Sequence, residues 1–417
     1  MGEKFRSTTW GNIIEFLVLA VGIWALTPTI KNSINQMYPV IVSMACLLLM
    51  IFSMRGKIQT SFAALLLVIV FIVVYKILGI SNDTWANHSN IFMYIFTMLA
   101  SEYMLLNLPA KRIKKCAIFL VAVLLLNLVY QYYLYFTLGT TLYSTRNLLT
   151  EGIVAGGTSF VSDMMLIAML FTVICFLKVK KKIKFFSVIV IAASYYYVIN
   201  IQTRATALIV LTMFIVACFA IGFSNQITPS RMIVFIGIVV SLCLILPIVV
   251  NWVATSDNAY FSRKFMAIQN MINGTSIIEE ANLRESSLVA RLYVAGISLS
   301  TWTSSILHFF FGKGYDAGFY YISGIGKHSE FIDLLPKYGL IGFCLFAYAL
   351  IEHFRFVASY IKKPRCFWLP MIAVIAYSFL NGIFLPDFGY VANIIIPFVL
   401  VTINEPCEEE IEYLVQN

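Results

Sequence analysis

At 417 residues, with 60% hydrophobic and only 12% charged side chains, the chain is far more apolar than a soluble domain, which is about half apolar and about a quarter charged. That excludes a water-soluble globular core, and the lack of strand-like alternation argues against an outer-membrane barrel. The formal net charge of +9 is not a nucleic-acid signature, because many of its lysines and arginines fall in short loops between apolar runs on alternate sides.

The chain begins MGEKFR, a short charged leader with no small-residue cleavage site after it, so the first apolar run is expected to be a retained helix. Runs long enough to cross a bilayer follow. We read twelve of them, at 11–29, 36–54, 60–80, 90–108, 116–139, 158–178, 184–200, 205–223, 232–253, 338–360, 367–385 and 388–404. Alternate connections carry the basic residues: Arg55 and Lys57, then Lys111, Arg112, Lys114 and Lys115, then the lysines from Lys178 to Lys184, then Arg231, then Lys362, Lys363 and Arg365. The positive-inside rule assigns that side, and with it both termini, to the cytoplasm. The expected fold is therefore an all-α polytopic membrane protein of about twelve helices. Its parts are helices one to nine (1–253), an extracytoplasmic loop (254–337), helices ten to twelve (338–404) and an acidic cytoplasmic tail (405–417). None of the eight cysteines falls in the long outer loops, which argues against a disulfide framework. No CxxC or HxxxH spacing occurs, so neither a metal site nor a cofactor is expected.

The loop 254–337 is long enough to need a reason. It holds a helix-like stretch, NLRESSLVARLYVAGISLSTWTSSILHFFFG, and then the Gly- and Tyr-rich GKGYDAGFYYISGIGKH. Arg284 and Arg291 are seven residues apart, two turns on one face of a helix and about 10 Å apart. Arg204, in NIQTRATALIV, stands at the outer start of the eighth span, and Arg146 lies in the other outer loop, STRNLLTEGIVAGG. Guanidinium forks hold phosphate oxygens bidentately and stay charged, which suits a lipid-linked pyrophosphate. The plainer alternative is that long loops escape the positive-inside rule and that Arg284 pairs with Glu285 or Glu280.

The loop ends in HSEFIDLLPKYGLIG. Ser329 is placed to cap a short helix ending near Pro336, with Phe331, Ile332 and Leu335 as its apolar face. His328 precedes that cap, and a neutral imidazole can accept a proton from a sugar hydroxyl near pH 7. His88, in a short polar loop, His308 and His353 read as structural. Glu15, Glu102 and Asp163 lie within spans, where they line a polar cavity, bind sugar hydroxyls or pair inside the bundle. Asp163, Arg146, Tyr315 and Glu330 are candidates for glycan contacts, although Tyr315 and its aromatic neighbours equally fit an interfacial belt. Glu352 and Arg355, three apart, read as a local ion pair.

His328-Ser329, nine residues and then Gly339, with Gly342 beyond, resembles the signature of the O-antigen ligase and polymerase superfamily, the Wzy-type polysaccharide repeat-unit polymerases. Arg291 ahead of FFFGKGYD, with its Gly312 and Gly314, is similar to that family's arginine followed by a Gly-x-Gly turn. TRATALIV around Arg204 is similar to its arginine at the start of a span, and a large outer loop between spans nine and ten is its layout. The family's usual asparagine after the histidine is Ser329 here, and the loop around Arg146 fits only loosely.

The resemblance implies a GT-C-like, inverting, metal-independent glycosyltransferase working outside the membrane on an undecaprenyl-pyrophosphate-linked oligosaccharide. Arg204 and Arg291, with Arg284, would hold the pyrophosphate, and His328 would activate the acceptor hydroxyl. Membrane lipids, a chain-length regulator and a flippase are the partners it implies, with no nucleic acid. A ligase would differ only in its acceptor, a lipid A core. The rival from another class is a flippase of lipid-linked sugars, which twelve spans also fit. Two symmetric six-helix halves would be expected of a flippase, whereas the long segment here follows span nine.

Overall fold

A computed structural model describes residues 9–54, 58–78, 85–138, 157–201, 205–221, 287–314, 325, 329–379, 381 and 385–403. Among these the regular structure is helical throughout. Five helices are long and apolar enough to cross a bilayer: Thr60–Ile77, His88–Asn107, Ala110–Leu134, Phe331–Ser359 and Pro386–Ile403. The chain is an all-α membrane protein.

In chain order the helices are α1 (Thr9–Leu26), α2 (Pro28–Ser33), α3 (Met37–Ser53), α4 (Thr60–Ile77), α5 (Trp85–Asn107), α6 (Ala110–Leu138), α7 (Gly157–Phe176), α8 (Lys181–Ile201) and α9 (Ala205–Ile221). After them come α10 (Ser287–Trp302), α11 (Ile306–Phe311), α12 (Glu330–Ser359), α13 (Arg365–Ser378), α14 (Pro386–Tyr390) and α15 (Ile396–Ile403). A helix stands at each predicted span that falls among the described residues; the ninth does not. That span, the greater part of the loop 254–337 and the tail 405–417 lie outside the described residues.

Local chemistry explains where the helices differ from expectation. The first predicted span breaks at Thr27, whose backbone is extended because Pro28 follows it, and α2 starts afresh on that proline. Helix α5 starts at Trp85, so His88 is a buried helical residue and not part of a polar loop. The eleventh span is shorter than predicted, since α13 stops at Ser378 and Asn381 Nδ2 donates to Tyr377 O (3.1 Å) across the helix end. The last span is composite. Between α14 and α15 the residues Val391–Ile395 form a π turn, where Asn393 Nδ2 donates to Thr97 Oγ1 on α5 (3.0 Å).

Helices α5, α7 and α14–α15 are largely buried in the interior, while α4 and α6 expose most of one side. The exposed side chains of the outer helices include Phe52, Leu126, Phe136, Phe185 and Phe219. Such a surface would aggregate in water and suits hydrocarbon. Small residues allow close approach inside. A Cβ at Gly22 would meet the Tyr390 ring at 2.9 Å, and one at Gly389 would meet Thr97 Oγ1 at 2.9 Å, so α1 and α5 pack closely on α14.

One end of the bundle gathers the basic residues, at the starts of α6 and α8 and between α12 and α13. There Arg112 on α6 pairs with Glu15 on α1 and donates to Asn12 Oδ1 (2.7 Å). Deeper in, Glu102 on α5 is fully buried. Its two oxygens take Ser61 Oγ of α4 (2.8 Å) and His353 Nδ1 of α12 (2.9 Å). Glu15 and Glu102 thus pair within the bundle, and Glu352 and Arg355 form the expected local pair (2.8 Å).

Removing one partner of a buried hydrogen bond leaves the other unsatisfied. His353→Ala is expected to cost about 2–3 kcal/mol, read as lost thermal stability in detergent. Adding Glu102→Gln should recover a large part of that loss. A double variant as unstable as the single would show that packing at His353, rather than the pair, is what matters.

Candidate functional site

At the end of the bundle opposite the basic residues, α10, α11 and the start of α12 fold onto one another. Ser305 caps α11, accepting from His308 N (3.1 Å), and Trp302 stacks on Phe309 with ring centroids 4.6 Å apart. The helix ends at Gly312, with φ +79° and ψ 165°, a region open essentially to glycine alone. The chain then passes directly over α12, and Lys313 N donates to Pro336 O (2.7 Å).

Helix α12 meets this turn with its own glycine. Gly339 has φ +66° and ψ −173°, and the helix bends there. A Cβ on Gly339 would lie 2.2 Å from Phe310 O, and one on Gly312 would lie 2.6 Å from Lys337 O. Each glycine therefore makes room for the other strand of backbone. Gly342 completes the bend, since a Cβ there would sit 2.4 Å from Tyr338 Cβ and 2.9 Å from the Phe71 ring. Tyr75 on α4 supports the junction from below. Its hydroxyl donates to Phe311 O (2.8 Å), and its ring packs with Phe71 (4.4 Å) and Tyr338 (5.6 Å).

The segment between Ser329 and Gly339 is held by a second, polar device. Ser329 caps α12 as expected, its hydroxyl accepting from Ile332 N (3.3 Å) and donating to Ser378 O on α13 (3.3 Å). Pro336 does not end the helix, which continues to the bend at Gly339. Its buried apolar residues are Phe331, Leu334 and Tyr338, while Ile332 and Leu335, expected on that face, are only half-buried. Asp333 is buried at 2% exposure. It reaches back to accept from Ser329 N (3.3 Å) and accepts from Ser298 Oγ on α10 (2.6 Å). A charged acceptor inside an apolar layer is favourable only with such donors, so this carboxylate fixes α10 against the start of α12.

His328, Arg204, Arg284, Arg146 and Tyr315 lie outside the described residues. Arg291 is in α10, seven residues and about 10 Å along the axis before Ser298. Glu330 is the first residue of α12, next to the Ser329 cap. The structure therefore joins the helix of Arg291 to the residue that follows His328. Asp163 is buried in α7, within electrostatic reach of Tyr197 on α8. Its neighbour Ser162 shares a hydrogen bond with Tyr377 (2.8 Å), and the next residue of α13, Ser378, holds Ser329. Helix α13 thus links the α7 layer to the capped segment. On the same end Lys31 pairs with Asp387 of α14 (3.1 Å).

Sequence reasoning missed Asp333, Ser298, Tyr377 and Tyr75. Only Asp333 left a signal, as an acid four residues after the cap on an otherwise apolar stretch.

Gly339→Ala is expected to unfold the junction. The backbone conformation alone costs a non-glycine residue about 1–3 kcal/mol, and the clash adds to that. Gly296→Ala is the control, since a Cβ there meets nothing within 4 Å, and it should stabilise α10 by about 0.5–1 kcal/mol. For the polar device, a double-mutant cycle of Ser298→Ala with Asp333→Asn should show coupling of about 1–2 kcal/mol in thermal or denaturant unfolding. Additive losses would remove Asp333 from its bridging role.

Compared with known protein families and with curated proteins, the chain matches none.

Proposed function

We propose that the chain is a membrane glycosyltransferase that joins undecaprenyl-pyrophosphate-linked oligosaccharide repeat units into a polysaccharide at the outer face of a bacterial cytoplasmic membrane. In this reading it has twelve spans, both termini are cytoplasmic and the glycine junction faces outward. The observation that supports it most is the tie from Ser298 through Asp333 to Ser329. It draws together the helix of Arg291 and the cap beside His328, two motif elements far apart in the sequence.

The chemistry follows from the residue types. The acceptor hydroxyl gives its proton to the His328 imidazole as its oxygen attacks the anomeric carbon of the donor glycan. The bond from that carbon to the pyrophosphate oxygen breaks with inversion, and undecaprenyl pyrophosphate leaves with the electron pair. Arg204 and Arg291 stabilise the charge that grows on it. The imidazolium then releases its proton to water. The Gly312–Gly339 contact sets the bend between the Ser329 cap and the rest of α12. Asp163 and Glu330 are assigned to the acceptor glycan, with Arg146 and Tyr315 from the outer loops.

The test is purified full-length protein in lipid nanodiscs with lipid-linked repeat units. His328→Ala is expected to slow chain growth about 10²–10⁴-fold, and Arg291→Ala about 10²-fold or more, with melting temperatures unchanged. Full polymerisation by both variants would overturn the site. Glycan transferred to a lipid A core acceptor instead would make the protein a ligase. Lipid-linked sugar crossing the bilayer with no new glycosidic bond would make it a transporter.

A further inference from the structure

The two sides of α11 differ. On one, Phe309 stacks on Trp302, whose Nε1 donates back to Phe309 O (2.9 Å), and His308 Nδ1 shares a hydrogen bond with Ser304 Oγ (2.8 Å). Ile306, Leu307, Phe310 and Phe311 occupy the remaining arc of the helix. All four are exposed, Ile306 at 79% and Leu307 at 70%. Large apolar side chains gathered on one arc are a liability in water. The glycine junction sets the depth of this arc. Phe310 O packs on Gly339, and Phe311 O accepts from Tyr75 in the last turn of α4. Gly339 stands twenty residues from Ser359 at the basic end of α12, about 30 Å of helix. The apolar run of α4 from Thr60 to Ile77 is about 26 Å long. Both lengths put α11 near the far limit of a hydrocarbon layer roughly 30 Å thick. At the same level Ile77 and Leu78 beside α4's end and Ile341 of α12 are exposed, so the lipid-facing flank of the bundle runs up to α11.

We propose that α11 is an interfacial anchor, whose apolar arc dips into the acyl-chain boundary of the bilayer at the end of the bundle opposite the basic residues. Its partner is the upper part of the phospholipid acyl chains, and no particular headgroup is called for. An interfacial helix buries its apolar side about 5–10 Å into the boundary between headgroups and acyl chains, and the lengths of α4 and α12 bring α11 to that boundary. Continuity with the exposed flanks of α4 and α12 favours lipid over a second copy of the chain, which would have to displace lipid from those helices as well. The polar side, with Ser304 and His308, is then left toward the headgroups and water. Through Phe310 and Phe311 the anchor ties the Gly312–Gly339 contact to the membrane surface. None of its residues is assigned to glycosyl transfer, so it stands whether or not that reading does.

The test is tryptophan fluorescence of the full chain in phosphatidylcholine nanodiscs, with Leu307→Trp as the reporter and the six native tryptophans of the parent protein as the baseline. The emission that the added indole contributes is expected to be lost with phospholipids brominated near the carbonyl end of the acyl chain. Bromine near the methyl end should quench it less, and aqueous iodide should leave it unchanged. Ile306→Trp, at the neighbouring exposed position, should behave alike, and it takes over as reporter should Leu307→Trp fail to fold. Quenching by iodide and not by bromine would put the arc in water and overturn the anchor. Stronger quenching by the deep bromines would make α11 an inserted segment and overturn its interfacial placement. Protection from all three quenchers would put a protein surface over the arc, a second copy of the chain included, and overturn lipid as its partner.

Discussion

Gly312 and Gly339 let two backbones touch where any side chain would hold them apart. Both residues adopt conformations closed to other amino acids, and each would drive a Cβ into the other segment. The contact determines the bend of α12, and the bend determines where the Ser329 cap stands relative to the rest of the helix. From that one approach follow the Lys313–Pro336 hydrogen bond, the seat of Tyr75 under Phe311, and the packing of Tyr338 over Gly342. The glycines of the motif are therefore a structural device.

Helices in a bilayer gain little from the hydrophobic effect when they associate, because lipid is as apolar as they are. Small residues and polar contacts supply what is missing, and here the polar contacts join helices far apart in the chain. Glu102 ties α5 to α4 and α12 at the basic end, and Arg112 ties α6 to α1. At the other end Lys31 ties α2 to α14, and Ser162 ties α7 to α13. Asp333 follows the same logic in a smaller space, joining α10 to α12 through two donors. Burying a carboxylate in such a layer is costly unless its oxygens are satisfied. Each of these acids therefore marks a contact between named helices.

Much of this could be read from the residues alone. Apolar run lengths placed the helices, since a segment in hydrocarbon must satisfy its own backbone and a helix is the simplest way to do so. Ser329 was recognisable as a cap because its hydroxyl precedes an apolar periodic stretch, and Glu352 with Arg355 because three residues is nearly one turn. The misreadings were local. The short helix was expected to end near Pro336, and it runs three residues further. The break came at Gly339, whose positive φ depends on a neighbour from another segment. His88 was read as loop because its surroundings are polar, and burial between α3 and α4 made it helical core.

Composition and run length by themselves determined that this is a helical membrane protein and, among the described residues, roughly where its helices lie, because both depend only on short-range backbone satisfaction and transfer from water. The charged loops further gave an expectation of which end faces the cytoplasm. Only the tertiary structure decided which acids pair, with Glu102 finding His353 and Asp333 finding Ser298, and why FFFGKG needs PKYGLIG. Those outcomes depend on which helices become neighbours, and a one-dimensional pattern does not contain that.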